Sequence, residues 1–390
     1  MANADADKSA DKSEESACEK AKNSYLRSLI GTWDFPAHRL TDDDLAQCAF
    51  LIFEHAFTMP EVESLVLTRH QLKRFLFVLR RSYQPINPYH NFRHVVDVLQ
   101  ATFYFLLCMH AIPPLPPSAS FPSPPSSASP TAPSSTPTSF ASSSETSPAP
   151  QKSLSVLLTP IDALALLVTA IGHDVGHPGV TNSFLISARS PLARIYSDRS
   201  VLESFHCAAF SQILHRYWPA VHQQLEIKGI MVESVLATDM AMHNEYMQKI
   251  TAVVKAISEG GDVVVEGDGG YRKRLLCASL IKCADISNVA RIMDISTHWG
   301  TVLTEEFKNM ADLELRLGLK QPPPSQPATT TPSSELTALA KGQLFFINTF
   351  AYPFFETVGK GVPEIEFAAE QIRKNKAVWD QTLSNINGGV

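Results

Sequence analysis

An all-α fold is predicted by two observations: apolar residues recur at helical spacing, and strand-like alternation is nearly absent. Leu51, Phe53, Ala56 and Phe57, then Leu72, Phe75, Leu76 and Leu79, fall three and four residues apart, which places each set along one stripe of a helix. The run Val263 to Val265 is flanked by glycines, which argues for a loop or short hairpin and not for a sheet.

Taken in chain order, the first 24 residues are charged and lack the apolar stretch of a signal peptide, and a flexible N-terminal segment is expected there. Residues 25–390 are expected to form one domain interrupted twice. From about Pro113 to Ser155, and again from Gln321 to Ser334, proline, serine and threonine dominate. Such tracts bury too little apolar surface to offset the entropy of ordering them, so both are expected to be disordered insertions. They could also serve as polyproline segments for a partner, but surface insertions need no such role. Between them, Thr159, Pro160 and Asp162 supply an N-cap, a proline at the first helical position and an acid in the first turn. That helix is expected to run through ALALLVTAIGHD and stop near Gly176 and Pro178, with His173 and Asp174 in its last turn.

Composition narrows the function classes. The chain has 390 residues, 44% of them hydrophobic, and a formal net charge of −6 with a pI near 6.1. No basic field exists to collect nucleic acid, so an anionic substrate must be neutralised locally. No apolar run reaches membrane-spanning length, and six cysteines without CxxC spacing suit reduced thiols in the cytosol.

Three separated segments carry polar chemistry inside apolar surroundings: YHNFRHVVDVLQ from Tyr89, HDVGHPGVTN from His173 and CADISN from Cys283. His90 and His94 are four residues apart, so on a helix both imidazoles would share one face. Two imidazoles and two carboxylates suit a borderline or hard divalent cation such as Zn2+, Mn2+ or Mg2+. A carboxylate has two oxygens, so Asp174 could touch two ions and help clamp a phosphoryl group. His55, His70, His110, His215, His222 and His298 are read as ordinary hydrogen-bonded histidines. Ser200 and Glu203 have the S-x-x-E spacing of a capping box, which accounts for Glu203 without any metal. Asp239 and His243, four apart, are read equally well as a helix-surface pair.

With LATDM at Leu236 and KGQLFF at Lys341, these segments resemble the class I 3',5'-cyclic nucleotide phosphodiesterases, in particular the fungal high-affinity cAMP enzymes. The resemblance covers roughly Leu40 to Gln381 outside the two insertions. It implies a compact multi-helix catalytic domain of the HD type and hydrolysis of a cyclic nucleotide to its 5'-monophosphate. By it, His94, His173, Asp174 and Asp285 correspond to ligands of a tightly held ion, usually zinc. A second ion, usually magnesium, also touches Asp174 and is surrounded through water by His177, Glu203 and Thr238, with His206 and Asn182 at the same shell and the phosphate. His90 corresponds to the general acid that protonates the leaving O3'. Tyr89, Met240, Asn288, Leu303, Gln343 and Phe346 correspond to the substrate pocket, with Gln343 on the purine edge and Leu303 and Phe346 clamping the ring. Apart from the resemblance, Leu303 and Phe346 read as core residues.

Two positions depart from the family pattern: Gly176 stands where many relatives have an acid, and Lys282 where many have a histidine. Both affect charge and orientation around the ligands. The expected chemistry is that two cations neutralise the phosphate and lower the pKa of a water between them, while His90 delivers a proton to the leaving group. The expected ligand is a small-molecule cyclic nucleotide, cAMP before cGMP, with no nucleic acid and no membrane. The rival readings are an HD-type phosphohydrolase acting on another nucleotide and a catalytically silent cyclic-nucleotide sensor.

Overall fold

In the computed structural model, residues 17–116, 153–268, 270–321 and 332–388 are described. Among them the ordered elements are helices and no strand occurs. Val263 to Val265 lie in a loop. The greater part of both expected insertions, and residues 1–16, lie outside the described residues.

Four helices form the centre: α4 (Phe92–Cys108), α5 (Pro160–Gly172), α10 (Leu225–Thr238) and α12 (Tyr271–Asp285). Helix α5 packs on the other three, and from Asp162 to Gly172 every residue is buried. A nearly all-apolar ALALLVTAIG sequence is what such a position demands, because no face meets water, and its one hydroxyl, on Thr169, donates to the Ala165 carbonyl at 2.7 Å. Its start is as expected: Thr159 accepts from the Asp162 backbone N–H, and the Asp162 carboxylate accepts from the Thr159 backbone. Its end is earlier than expected. The helix stops at Gly172, His173 is the C-cap, and Asp174 lies in the following turn.

On one side α1 (Ala17–Ile30) and α2 (Asp42–Ala56) cover α4, and α3 (Arg69–Arg80) packs on α2. Residues 17–24, expected to be flexible, are thus helical, because Asn23, Leu26 and Ile30 are buried on one face. Two residues of the first motif serve this packing. Gln100 donates to the carbonyls of Ile30 (3.0 Å) and Thr32 (2.8 Å). Asp97 pairs with the buried Arg291 at 3.1 Å, whose guanidinium also stacks on Trp33. Removing one partner would leave an uncompensated buried charge.

Next come α6 (Asn182–Ser187), α7 (Pro191–Ile195), α8 (Val201–Tyr217), α9 (Pro219–His222) and α11 (His243–Ser258). Phe184, Leu185, Ala193, Val201 and Leu202 make a small apolar cluster apart from the main core. The C-terminal part contains α13 (Met293–Arg316), α14 (Pro332–Phe346), a π-helical turn at Ile347–Ala351, α15 (Tyr352–Gly361) and α16 (Glu366–Gly388). Residues 332–334, assigned to the second insertion from composition, already belong to α14. At the first insertion, Leu154 is buried and the hydroxyls of Ser153 and Ser155 donate to Glu364 at 2.8 and 2.6 Å, so the chain is docked from Ser153 onward.

Candidate active site

The site begins with a turn. Asn87 donates to the carbonyls of His90 and His177, both at 2.9 Å, and so ties the first two motifs together. Gly179, at φ +76°, permits that close approach, since a Cβ there would fall 2.6 Å from Asn87 Oδ1. Asn91 caps α4 by accepting from the Arg93 and His94 backbones. Helix α4 therefore starts at Phe92, and His90 precedes it. The shared helical face expected for His90 and His94 is replaced by a turn-and-helix junction, which brings the two rings to 5.6 Å.

Three chain segments then converge. His94 Nε2 and His173 Nε2 each lie 3.2 Å from Asp285 Oδ1. The same two nitrogens lie 3.6 and 3.4 Å from Asp174 Oδ2. Donors about 2.1 Å from one cation at octahedral or tetrahedral angles are separated by about 3.0 to 3.4 Å, so the two imidazole distances to Asp285 match a divalent ion, and Asp174 Oδ2 lies at and just beyond the upper end of that range. The ring orientation agrees: His173 Nδ1–H donates to the Ala170 carbonyl at 2.9 Å, which turns Nε2 toward Asp285. Burial disfavours charge on both carboxylates, but the neighbouring imidazoles hold Asp174 and Asp285 well below the usual carboxylate range.

A second group, His90, His177 and Glu306, is built differently. One Glu306 oxygen accepts from the Tyr89 and His90 backbones at 2.9 and 3.0 Å, and the other takes His90 Nδ1. With its oxygens so engaged, Glu306 is a partner for an imidazolium and not a vacant cation ligand. Burial opposes the His90 charge, yet Glu306 and the other carboxylates outweigh it and raise the pKa of His90. The ring of His177 stacks on His90 at 4.0 Å. Its Nδ1 accepts from the Gly179 backbone at 3.0 Å, so in the neutral ring the proton sits on Nε2. Burial and the adjacent His90 depress its pKa well below normal, in agreement with that neutral form.

Around Asp174 lies a third polar group. His206 donates Nδ1–H to the Val175 carbonyl at 2.9 Å and turns Nε2 toward Asp174. Asn182 donates to Glu203 at 2.9 Å and accepts from the Leu202 backbone at the start of α8. The S-x-x-E capping box does not form: Ser200 has left-handed backbone angles, makes no side-chain cap, and donates its hydroxyl to Asp239 at 2.7 Å. Glu203 is thus free of a capping role. Burial and the charge of Asp239 push its pKa up to about 7. Thr238 donates to the Val235 carbonyl at 2.8 Å and keeps its acceptor lone pairs.

Tyr89, His90, Asp174, His177, Asn182, Glu203, His206, Thr238, Asp285 and Glu306 line one cavity of about 680 Å3, while His94 and His173 are buried and do not line it. Its far end is formed by Leu303, Phe346, Asn288, Gln343 and, at the mouth, Met240. Gln343 is 7% exposed, and its carbonyl oxygen is buried without a partner. Tyr89 lies against the His94 ring at 4.6 Å.

Sequence reasoning did not name Glu306, although it sits three residues after Leu303 and so on a helix face already assigned to the pocket. Asp239, left aside as one of a surface pair, is buried and lines the cavity. His243 is buried against Phe350 and Phe354. Lys282 is buried, donating to the Ala237 carbonyl at 2.8 Å. Gly176 has φ +78°, a conformation that suits glycine.

A family model described as 3'5'-cyclic nucleotide phosphodiesterase matches residues 89–372. A 3',5'-cyclic-nucleotide phosphodiesterase 2 of Saccharomyces cerevisiae is 27% identical over 92% of this chain and 61% of its own length. The 3',5'-cyclic-nucleotide phosphodiesterase regA of Dictyostelium discoideum is 26% identical over 92% of this chain and 38% of its own. The chain thus spans less than two thirds of these relatives. A crystal structure of yeast caPDE2 with IBMX superposes with a TM-score of 0.72 at 31% identity, covering 94% of this chain and 69% of that one.

Proposed function

This chain belongs to the 3'5'-cyclic nucleotide phosphodiesterase family, and on that premise we propose that it hydrolyses a 3',5'-cyclic nucleotide, cAMP in preference to cGMP, to the 5'-monophosphate. The observation that carries this reading is one cavity lined at one end by Asp174 and Asp285, which the buried His94 and His173 adjoin, together with a carboxylate-held imidazole, and at the other by an amide beside an apolar clamp.

In this reading His94, His173, Asp174 and Asp285 would hold one divalent ion, Zn2+, and Asp174 would help hold a second, Mg2+ or Mn2+, with His177, Glu203, Thr238, His206 and Asn182 around it. When bound, such ions neutralise phosphate charge and lower the pKa of water. The protein's own groups do the rest. His177 donates from Nε2–H, and His206 accepts at Nε2. His90, with Nδ1 tied to Glu306, keeps Nε2–H for the ribose O3' as the ester bond breaks. Leu303 and Phe346 flank the flat base, while Gln343 and Asn288 supply polar contacts at its edge. Tyr89 packs beneath the His94 imidazole.

No helix among the described residues is long and apolar enough to cross a membrane. The six cysteines are unpaired, and a cytosolic setting is proposed on that ground. The test is a substrate panel on the purified, metal-loaded chain, comparing kcat/KM for cAMP, cGMP, nucleoside triphosphates and monophosphates. Turnover of both cyclic nucleotides, faster for cAMP, is expected. Turnover restricted to the acyclic nucleotides, or binding of cAMP without hydrolysis, overturns the proposal.

A further inference from the structure

A glycine in the middle of a 24-residue helix is unfavourable, since no ordinary residue but proline forms helix less well. Gly300 occupies that position in α13 and is buried on the face toward α14. A Cβ built on it would lie 2.7 Å from Gln343 Nε2, 3.0 Å from Gln343 Cδ and 3.4 Å from Leu339 Cδ1. Leu339 and Gln343 are four apart, hence on one face of α14. The amide of Gln343 therefore lies in a recess whose floor is the bare backbone of Gly300. Among the described residues nothing holds the amide carbonyl there, because its oxygen is buried and unpartnered.

We infer that Gly300 is a positioning residue for the base contact: by lacking a side chain it sets the depth at which the Gln343 amide sits, and so where that amide meets the base edge. This rests on the reading of Gln343 as the base contact. Gly300, Leu303 and Glu306 follow one another at intervals of three along α13, and all line the cavity. One helix thus carries the recess for the amide, one jaw of the clamp and the partner of His90. Alanine at position 300 would meet the far end of a flexible side chain and not a backbone. The amide moves, into the cavity, while the helix itself gains a better helix former.

The experiment compares the metal-loaded wild-type chain, Gly300→Ala, Gln343→Ala and the double variant, measuring Tm, kcat and KM for cAMP and cGMP. For Gly300→Ala, KM is expected to rise about five- to thirtyfold, as for loss of one or two net hydrogen bonds. The kcat should stay within about threefold, since ground and transition states share the base contact, and Tm should not fall. In the double variant KM should be no worse than in Gln343→Ala alone, because both changes act on the same amide. Three results overturn the inference: an unchanged KM, a fall in Tm with parallel loss of kcat, or effects that multiply in the double variant. A wild-type chain that hydrolyses neither nucleotide overturns the functional reading together with this one, whereas an active wild type beside an indistinguishable Gly300→Ala overturns this one alone.

Discussion

The two ends of the cavity are held in different ways. At the polar end nearly every group is fixed by another: His173 by the Ala170 carbonyl, His177 by the Gly179 N–H, His206 by the Val175 carbonyl, and Glu306 by three donors around His90. At the base end Gln343 keeps an unpartnered carbonyl oxygen, Leu303 and Phe346 are only half-buried, and Phe345 at the rim is 64% exposed. Charges in a low-dielectric site must be oriented before the ligand arrives, or the cost of reorganising them falls on the reaction. Apolar surfaces are non-directional and tolerate adjustment. Changes at the polar end should therefore register in metal content and kcat, and changes at the base end in KM.

Asp174→Ala tests that division most severely. Both expected ions lose a donor, so metal content by elemental analysis should fall and turnover should drop to background, by at least about 100-fold. Retention of both metals would break the comparison at its stronger end. His90→Ala should come next, with metals retained and kcat lower by roughly two to four orders of magnitude. Unchanged turnover would remove His90 from the proton-transfer role.

Glu306→Gln sharpens the same end through pH. Because Glu306 raises the His90 pKa, the acid form of His90 persists until pH climbs through that raised value, and kcat should then fall. Without the carboxylate the alkaline limb should move to lower pH, with a smaller loss of kcat at its plateau than in His90→Ala. The ion pair also contributes to stability. Its share through His90 is complete below the unfolded imidazole pKa and is lost as pH rises through the folded one. An alkaline limb that stays in place would separate Glu306 from the proton donor. The smallest effect belongs to the base end: Gln343→Ala should raise KM roughly tenfold with kcat little changed, and a large loss of kcat would show that the two ends are not independent.

Much of this was legible in the sequence because it is local. Thr159, Pro160 and Asp162 define a helix start within four residues, and the structure forms that cap as expected. His94, His173, Asp174 and Asp285 stood out because polar residues in apolar surroundings need a compensating role; the ligand atoms of His94, His173 and Asp285 lie together, and Asp174 Oδ2 lies 3.6 and 3.4 Å from the two imidazoles. Other local readings failed where a longer-range contact was stronger. Ser200 has the spacing of a capping box, yet its hydroxyl is taken by Asp239, 39 residues away. His90 has the spacing of a helical pair, but the Asn91 cap starts the helix after it.

The sequence by itself determined the helical class, the family resemblance and the residues able to bind a cation, since periodicity and donor chemistry are written within a few neighbouring positions. Only the tertiary structure decided that Glu306 meets His90 across 216 residues and that Gly300 backs the Gln343 amide. Such pairings depend on how packed helices are rotated and spaced relative to one another. That arrangement is set by the burial of the whole core and by no single stretch of it.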